Sequence, residues 1–251
     1  MIKEIPLDLY DAHLELQAEI SFSDELKFFS SLREWGSVTS VLDLGCGNGA
    51  YLVRLAEAFP NVRFLGIDFR KDAIELAEKM RPRENVDYHW GTMSSITDQF
   101  DALISRFCML YTDNKNEIAN WVGEHVRSLI LQIDNEDDSL ETPPILERVR
   151  ANWHVTRVND RDGRYRSACN DTEPLWSRVG FEPIHSDVLV VDNTSAARQI
   201  QFRELITLAT ELGVGRPLPE QLRSDIDQWG LLGGHAQYAM RASWFQRCGV
   251  T

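Results

Sequence analysis

Val41-Leu42-Asp43-Leu44-Gly45-Cys46-Gly47-Asn48-Gly49 carries an apolar, partly β-branched run (38–44) directly into a turn with three glycines. Apolar side chains then recur at helical spacing at Tyr51, Leu52, Leu55 and Ala58 until Pro60. The pattern predicts strand, glycine turn, helix. Bare backbone at such a turn lets a ligand lie against the chain where side chains would block it.

The rhythm repeats outward from this unit. Strands are expected over 62–67, 86–90, 101–105 and 129–133, and helices over 71–80 and 116–127. Short apolar strands alternating with amphipathic helices predict parallel pairing through right-handed crossovers, which puts helices on both faces. The class is α/β, a doubly wound, Rossmann-like sheet. After Asp134 the rhythm changes to a polar stretch, 135–171, with a helical piece at 145–151 and a hairpin signal, Asp162-Gly163, inside 155–166. A helix over 173–180, a strand over 184–191, helices over 196–212 and 219–229 and a last strand over 235–245 follow. Upstream, Leu7, Tyr10, Leu14 and Ala18, then Leu26, Phe29 and Leu32, predict two helices, the second capped at Ser23 or Asp24. No stretch rich in Gly, Pro and Ser divides the chain, so 1–251 reads as one domain.

Composition narrows the partners. The 251 residues carry 26 Lys and Arg against 39 Asp and Glu, a formal charge of −13, which repels a phosphate backbone and argues against nucleic acid. No apolar run approaches the roughly 20 residues of a bilayer crossing, and the charged N-terminus is unlike a secretory leader. No membrane and a cytoplasmic location are expected. The four cysteines, Cys46, Cys108, Cys169 and Cys248, form no C-x-x-C pair, which fits reduced thiols.

Gly45-x-Gly47-x-x-Ala50 fits a dinucleotide fingerprint, with Asp68, 23 residues after Gly45, to hold a ribose diol. Asp43, two residues before the first glycine, argues against that ligand, because a carboxylate at the mouth of the turn repels a pyrophosphate. It suits a cofactor with a sulfonium, an ammonium and no phosphate, S-adenosylmethionine.

The segments VLDLGCGNG (41–49) and FLGIDFRKDAIELAEKM (64–80) resemble the first two motifs of the class I S-adenosylmethionine-dependent methyltransferases, in their small-molecule type. The resemblance covers 38–111 and continues more weakly through LILQID (129–134) to GFEPI (180–184). It implies a seven-stranded sheet of order 3-2-1-4-5-7-6 with strand 7 antiparallel. It also implies a cofactor core at 36–134, a helical lid at 1–35 that includes Tyr10, and acceptor-side insertions at 135–171 and 192–234. Carried over by position, Asp43 meets the methionine end, and the backbone of Gly45, Cys46, Gly47, Asn48 and Gly49 forms the platform. Asp68 holds the ribose, Phe69 packs on the adenine, Met93 gives it a backbone N–H, and Ser105 ends the fourth strand beside the cofactor. Thr92 stands where the family usually has an acid, and a hydroxyl accepts from the adenine amino group more weakly.

Methyl transfer is an in-line displacement, so alignment and exclusion of water are most of the catalysis. A base is needed only when the nucleophile arrives protonated. His13 and His154 are candidates because imidazole titrates near neutrality, with surface or packing roles as the alternative. Tyr111 either orients an acceptor hydroxyl or is an ordinary half-buried aromatic. Arg106 either binds a substrate carboxylate or pairs with a surface acid, and Trp153, beside His154, is a further substrate-side candidate. Asp134-Asn135 invites a magnesium reading, but Ser105-Arg106 stands where a further acidic ligand is required. An acidic, solvated loop with no metal is expected instead. Arginines 157, 161, 164 and 166 alternate with acids, as an exposed hairpin or an anion-binding patch. No Asn-Pro-Pro-Tyr-like turn follows the fourth strand, which with the acidic surface points to a small-molecule acceptor. Three alternatives stay open: a lyase or cyclase that uses the sulfonium charge without methyl transfer, a non-catalytic homodimer that binds the nucleoside, and an NAD-dependent oxidoreductase.

Overall fold

The computed structural model describes residues 5–136, 139–152 and 168–249. Seven strands, β1 (Ser40–Leu44), β2 (Arg63–Asp68), β3 (Val86–Trp90), β4 (Phe100–Arg106), β5 (Val126–Asn135), β6 (Phe181–Asp192) and β7 (Gln237–Arg247), form one sheet in the order β3-β2-β1-β4-β5-β7-β6. The β1–β2, β1–β4, β2–β3 and β4–β5 pairs are parallel, and β7 runs antiparallel to β5. This is the order the resemblance implied. The helices are α1 (Leu7–Ser31), α2 (Ala50–Ala58), α3 (Lys71–Met80), α4 (Lys115–His125), α5 (Ala168–Arg178), α6 (Ala196–Val214) and α7 (Glu220–Leu232).

The chain gathers into two compact units. One holds Phe22–Asn135, Ser167–Leu189 and Met240–Thr251, and its core follows from strand register. Leu42, Leu103, Ile130 and Phe245 are successive partners across β1, β4, β5 and β7. They pack with Ala119 and Val122 of α4 and Trp176 of α5. The next row, Asp43, Ile104, Leu131 and Trp244, faces the other way. There Trp244 joins Phe28, Phe29 and Trp35, with ring centroids 5.4–6.3 Å away. Strands buried on both faces read as continuous apolar runs, and each fully buried Leu or Ile contributes about 1.5–3 kcal/mol.

The other unit comprises the described parts of Met1–Ser21, Glu136–Arg166 and Val190–Ala239. Its core includes Leu9, Leu16 and Ile20 from the first half of α1, Phe202 and Ile206 from α6, and Ile226 and Trp229 from α7. Arg203 pairs with Asp227 between α6 and α7 at 2.5 Å, Arg216 bridges Glu211 and Asp8, and Arg148 forks onto Asp225.

Several expected boundaries are corrected. The two leading helices are one, because 7–31 contains neither glycine nor proline and its buried positions run on through Ser21, Glu25, Phe28 and Phe29. Ser23 and Asp24 are therefore interior residues, not caps. The last strand lies two residues later than expected, β6 is longer at both ends, and the helical piece begins as a 3-10 turn at Pro144–Leu146 before 147–152. The hairpin expected at 155–166 lies outside the described residues.

Candidate functional site

The turn after β1 is held in a conformation that only glycine adopts without strain: φ is +75° at Gly45, +56° at Gly47 and +75° at Gly49. Gly45 and Cys46 both donate their backbone N–H to the Ile67 carbonyl, at 2.8 and 3.1 Å, which fastens the turn to β2. A Cβ at Gly45 would stand 2.6 Å from Cys108 Sγ, and one at Gly49 2.6 Å from Tyr88 Oη. The fold itself thus excludes side chains here. Asn48 Oδ1 accepts the Ala50 N–H at 3.1 Å and starts α2.

Asp68 ends β2 against this turn. Its Oδ2 accepts the Gly47 N–H at 2.9 Å and its Oδ1 the Arg70 N–H at 2.8 Å. A carboxylate offers about four acceptor sites, so a lone pair remains on each oxygen. Burial raises the Asp68 pKa, and the two N–H groups and Arg70 oppose that rise. Next to it the Phe69 ring is 78% exposed. Trp90 Nε1 donates to the Phe69 carbonyl at 3.1 Å, and the Lys71 ammonium lies 5.4 Å from the Trp90 centroid. Beyond β3, Thr92 Oγ1 and Ser94 Oγ share a hydrogen bond of 2.8 Å, and Met93 opens the 3-10 turn Met93–Ser95 with its side chain buried.

On the opposite side of the turn stands a group of buried charges. Asp43 is 2% exposed, and burial pushes its carboxyl up to about 7, with Arg106 lowering it and Asp68 raising it further. Arg106 extends from the same sheet face as Asp43, because Asp43 is the register partner of Ile104 on the neighbouring strand. The guanidinium pairs with a buried acid rather than a surface one. Its Nε donates to both oxygens of Glu25 at 3.1 and 3.0 Å, and its Nη2 to Oε1 at 3.0 Å. Glu25, on the second half of α1, is fully buried. The Tyr51 and Phe107 rings each lie 4.5 Å from the guanidinium carbon, and Phe107 has a left-handed φ of +53°. Sequence reasoning missed Glu25. The available signal was its spacing from Ser21, Phe28 and Phe29, which puts an acid on the apolar face of its helix.

Asp134 also departs from expectation. It is no solvated loop residue but a fully buried part of β5, and burial raises its pKa to about 7. Gln132 Nε2 donates to its Oδ2 at 2.7 Å, and Gln132 Oε1 accepts from Thr172 Oγ1 and Trp176 Nε1 at 2.7 and 2.8 Å.

The residues expected on the cofactor side lie at the C-terminal ends of β1 to β4: Asp43, Gly45, Cys46, Gly47, Asn48, Gly49, Asp68, Phe69, Thr92, Met93 and Ser105. Cys46 and Ser105 are buried, and the Cys108 thiol is pushed up to about 12 by burial and nearby carboxylates. Tyr111 is exposed rather than half-buried. Tyr10 and His13 belong to the first half of α1 and to the other compact unit, and Trp153 and His154 lie outside the described residues.

A family model described as Methyltransferase domain matches residues 36–176. The chain belongs to the S-adenosylmethionine-dependent class I methyltransferases. Its cofactor is accordingly S-adenosylmethionine. It is 36% identical over 72 residues to the release factor glutamine methyltransferase of Aliivibrio fischeri, covering 26% of this chain and 25% of that protein. It is 25% identical over 122 residues to the malonyl-[acyl-carrier protein] O-methyltransferase of Bacillus cereus, covering 47% and 44%. The matches thus span less than half of these relatives' own lengths. A crystal structure of a putative sarcosine dimethylglycine methyltransferase from Galdieria sulphuraria shares the fold, with a TM-score of 0.54 at 12% identity over 92% of this chain and 84% of that one. The residues present fit the cofactor: a glycine turn closed to side chains, an exposed aromatic beside it, and buried carboxylates that favour a cationic ligand over a phosphorylated one.

Proposed function

We propose that this methyltransferase acts on a small-molecule acceptor in the cytoplasm. The reading is carried by the arrangement of Asp43 and Asp68 on either side of a bare-backbone turn, which welcomes positive charge and a ribose diol and repels a pyrophosphate. When bound, the cofactor supplies a methyl group on a cationic sulfur. In this proposal Asp43 attracts the methionine end, the backbone at 45–49 supports it, and Asp68 uses its remaining lone pairs on the ribose hydroxyls. Phe69 covers the adenine, the Met93 N–H donates to it, and the Thr92 hydroxyl accepts from its amino group. Tyr111, exposed just beyond β4, enters as an acceptor-side candidate. Tyr10, His13, Trp153 and His154 enter as candidates for acceptor binding or proton removal.

A small acceptor is supported by the acidic composition and by a fold neighbour named for sarcosine dimethylglycine, whereas the malonyl group named for one relative is carried on a protein. Isothermal titration with S-adenosylmethionine, followed by incubation of methyl-labelled cofactor with small carboxylic acids, amines and phenols, tests the proposal. Binding is expected, with label passing to an acceptor. No binding heat discards the site, and cofactor consumption with the label still on the donor fragment favours a lyase.

A further inference from the structure

The buried charges around Asp43 do not balance. Glu25 and Asp43 are both almost completely buried, and Arg106, on the sheet face of Asp43, pairs with Glu25 and exerts its charge on Asp43. Three of its hydrogen bonds go to Glu25, and among the described residues no group donates a hydrogen bond to the Asp43 carboxylate. Among the described residues the remaining titratable groups that face Asp43 add no positive charge: Asp68 from β2, Cys46 from the turn, Tyr51 from α2, Tyr88 from β3 and Cys108 from the segment after β4. A buried carboxylate with only a shared counter-charge relieves its desolvation in one of two ways, by holding a proton or by meeting a cation.

We propose that Arg106, pinned by Glu25, is a positioning residue that sets the charge of Asp43, and that binding of S-adenosylmethionine expels the Asp43 proton. The inference rests on the assignment of the glycine turn to this cofactor. Its physical content is a competition between a proton and the cationic methionine end for one carboxylate. The Glu25–Arg106 clamp tunes that competition from the neighbouring strand without touching the ligand. Burial holds the Asp43 pKa near 7, so the competition falls in the neutral range. As the pH falls below about 7 the protonated fraction rises, and the affinity for the cofactor declines toward tenfold per unit.

Titration calorimetry of the full chain with S-adenosylmethionine, from about pH 5.5 to about pH 8 in two buffers of different ionisation enthalpy, reads this linkage. Buffer-dependent heats are expected that correspond to release of up to one proton at the acid end, and Asp43→Asn should lose that release. Arg106→Gln removes the positive charge and should move the midpoint of the affinity profile to higher pH. Glu25→Gln frees the guanidinium's charge for Asp43 and should move it lower, while Arg106→Lys stays near the wild type. A merely structural clamp would weaken binding at every pH and leave the midpoint in place. Should Arg106→Gln not fold, the Glu25→Gln shift and the wild-type buffer dependence decide. Wild-type binding without buffer dependence, or unshifted midpoints, overturns the inference alone, whereas no wild-type binding at any pH overturns the cofactor site beneath it.

Discussion

Gly47 donates its backbone N–H to the buried Asp68 carboxylate at 2.9 Å, so the acid that ends β2 shapes the glycine turn from within. Asp68 also takes the Arg70 N–H at 2.8 Å and thereby orders the entry to α3. One side chain thus joins strand, turn and helix while presenting oxygen to a ligand.

Substitution of Asp68 should therefore cost both stability and affinity. In Asp68→Asn one oxygen still accepts, but the amide nitrogen meets the second N–H as donor against donor. About 1–3 kcal/mol of stability should be lost from that unsatisfied donor. Urea unfolding measures that cost, and calorimetry should show S-adenosylmethionine binding at least tenfold weaker. Asp68→Ala with wild-type affinity would remove Asp68 from the site.

Gly49→Ala should be costlier than its single methyl suggests. A left-handed φ costs an L-residue roughly 1–2 kcal/mol, and the new Cβ would stand 2.6 Å from Tyr88 Oη, which itself donates to the Arg81 carbonyl at 3.1 Å. The expected outcome is a lower Tm and a weakened cofactor complex. Gly36→Ala, where no atom of the described residues lies within 4 Å of the added carbon, is the control and should change Tm little.

Much of this was legible in sequence because it depends on local periodicity. Alternating apolar strands and helices specify the parallel sheet, and three closely spaced glycines announce the bend after β1. The misreadings lie where tertiary context decides. Ser23 and Asp24 look like a cap, but nothing between Leu7 and Ser31 breaks the helix. Arg106 suggests a surface acid as its ionic partner, but the acid it meets is buried and 81 residues away, on a helix whose acid faces inward. Asp134 begins a run of polar residues, yet the ladder of β5 extends through Asn135 and takes it into the core. No window around a charged residue carries the identity of a partner supplied by another element.

Phe69 separates affinity from stability. Its ring is mostly exposed, so Phe69→Ala should leave Tm nearly unchanged. Loss of a stacking platform for the adenine should weaken S-adenosylmethionine about tenfold, on the scale of about 1–3 kcal/mol for a base on an aromatic ring. Calorimetry paired with thermal melting tests this, and an unchanged Kd would place the adenine elsewhere.

Asp134 makes stability depend on pH in a direction opposite to that of a salt-bridged acid. Its pKa is about 7 in the folded chain and near the ordinary 3.8 in the unfolded one. The native state therefore holds a proton that the unfolded state has lost across the interval between those values. Its favourable contribution is complete below about pH 4 and is lost as pH rises through about 7, by up to about 1.4 kcal/mol per unit. Asp134→Asn keeps an oxygen for the Gln132 amide, whose own oxygen stays with Thr172 and Trp176. It removes the charge that burial penalises. The variant should therefore match the wild type below about pH 4 and melt several degrees higher at pH 8. Asp43 titrates in the same window and remains in the variant, so the pH dependence should be reduced rather than abolished. Thermal melts of both proteins across this range decide the matter, and a variant less stable than the wild type at pH 8 would mean that the buried carboxylate is ionised and compensated.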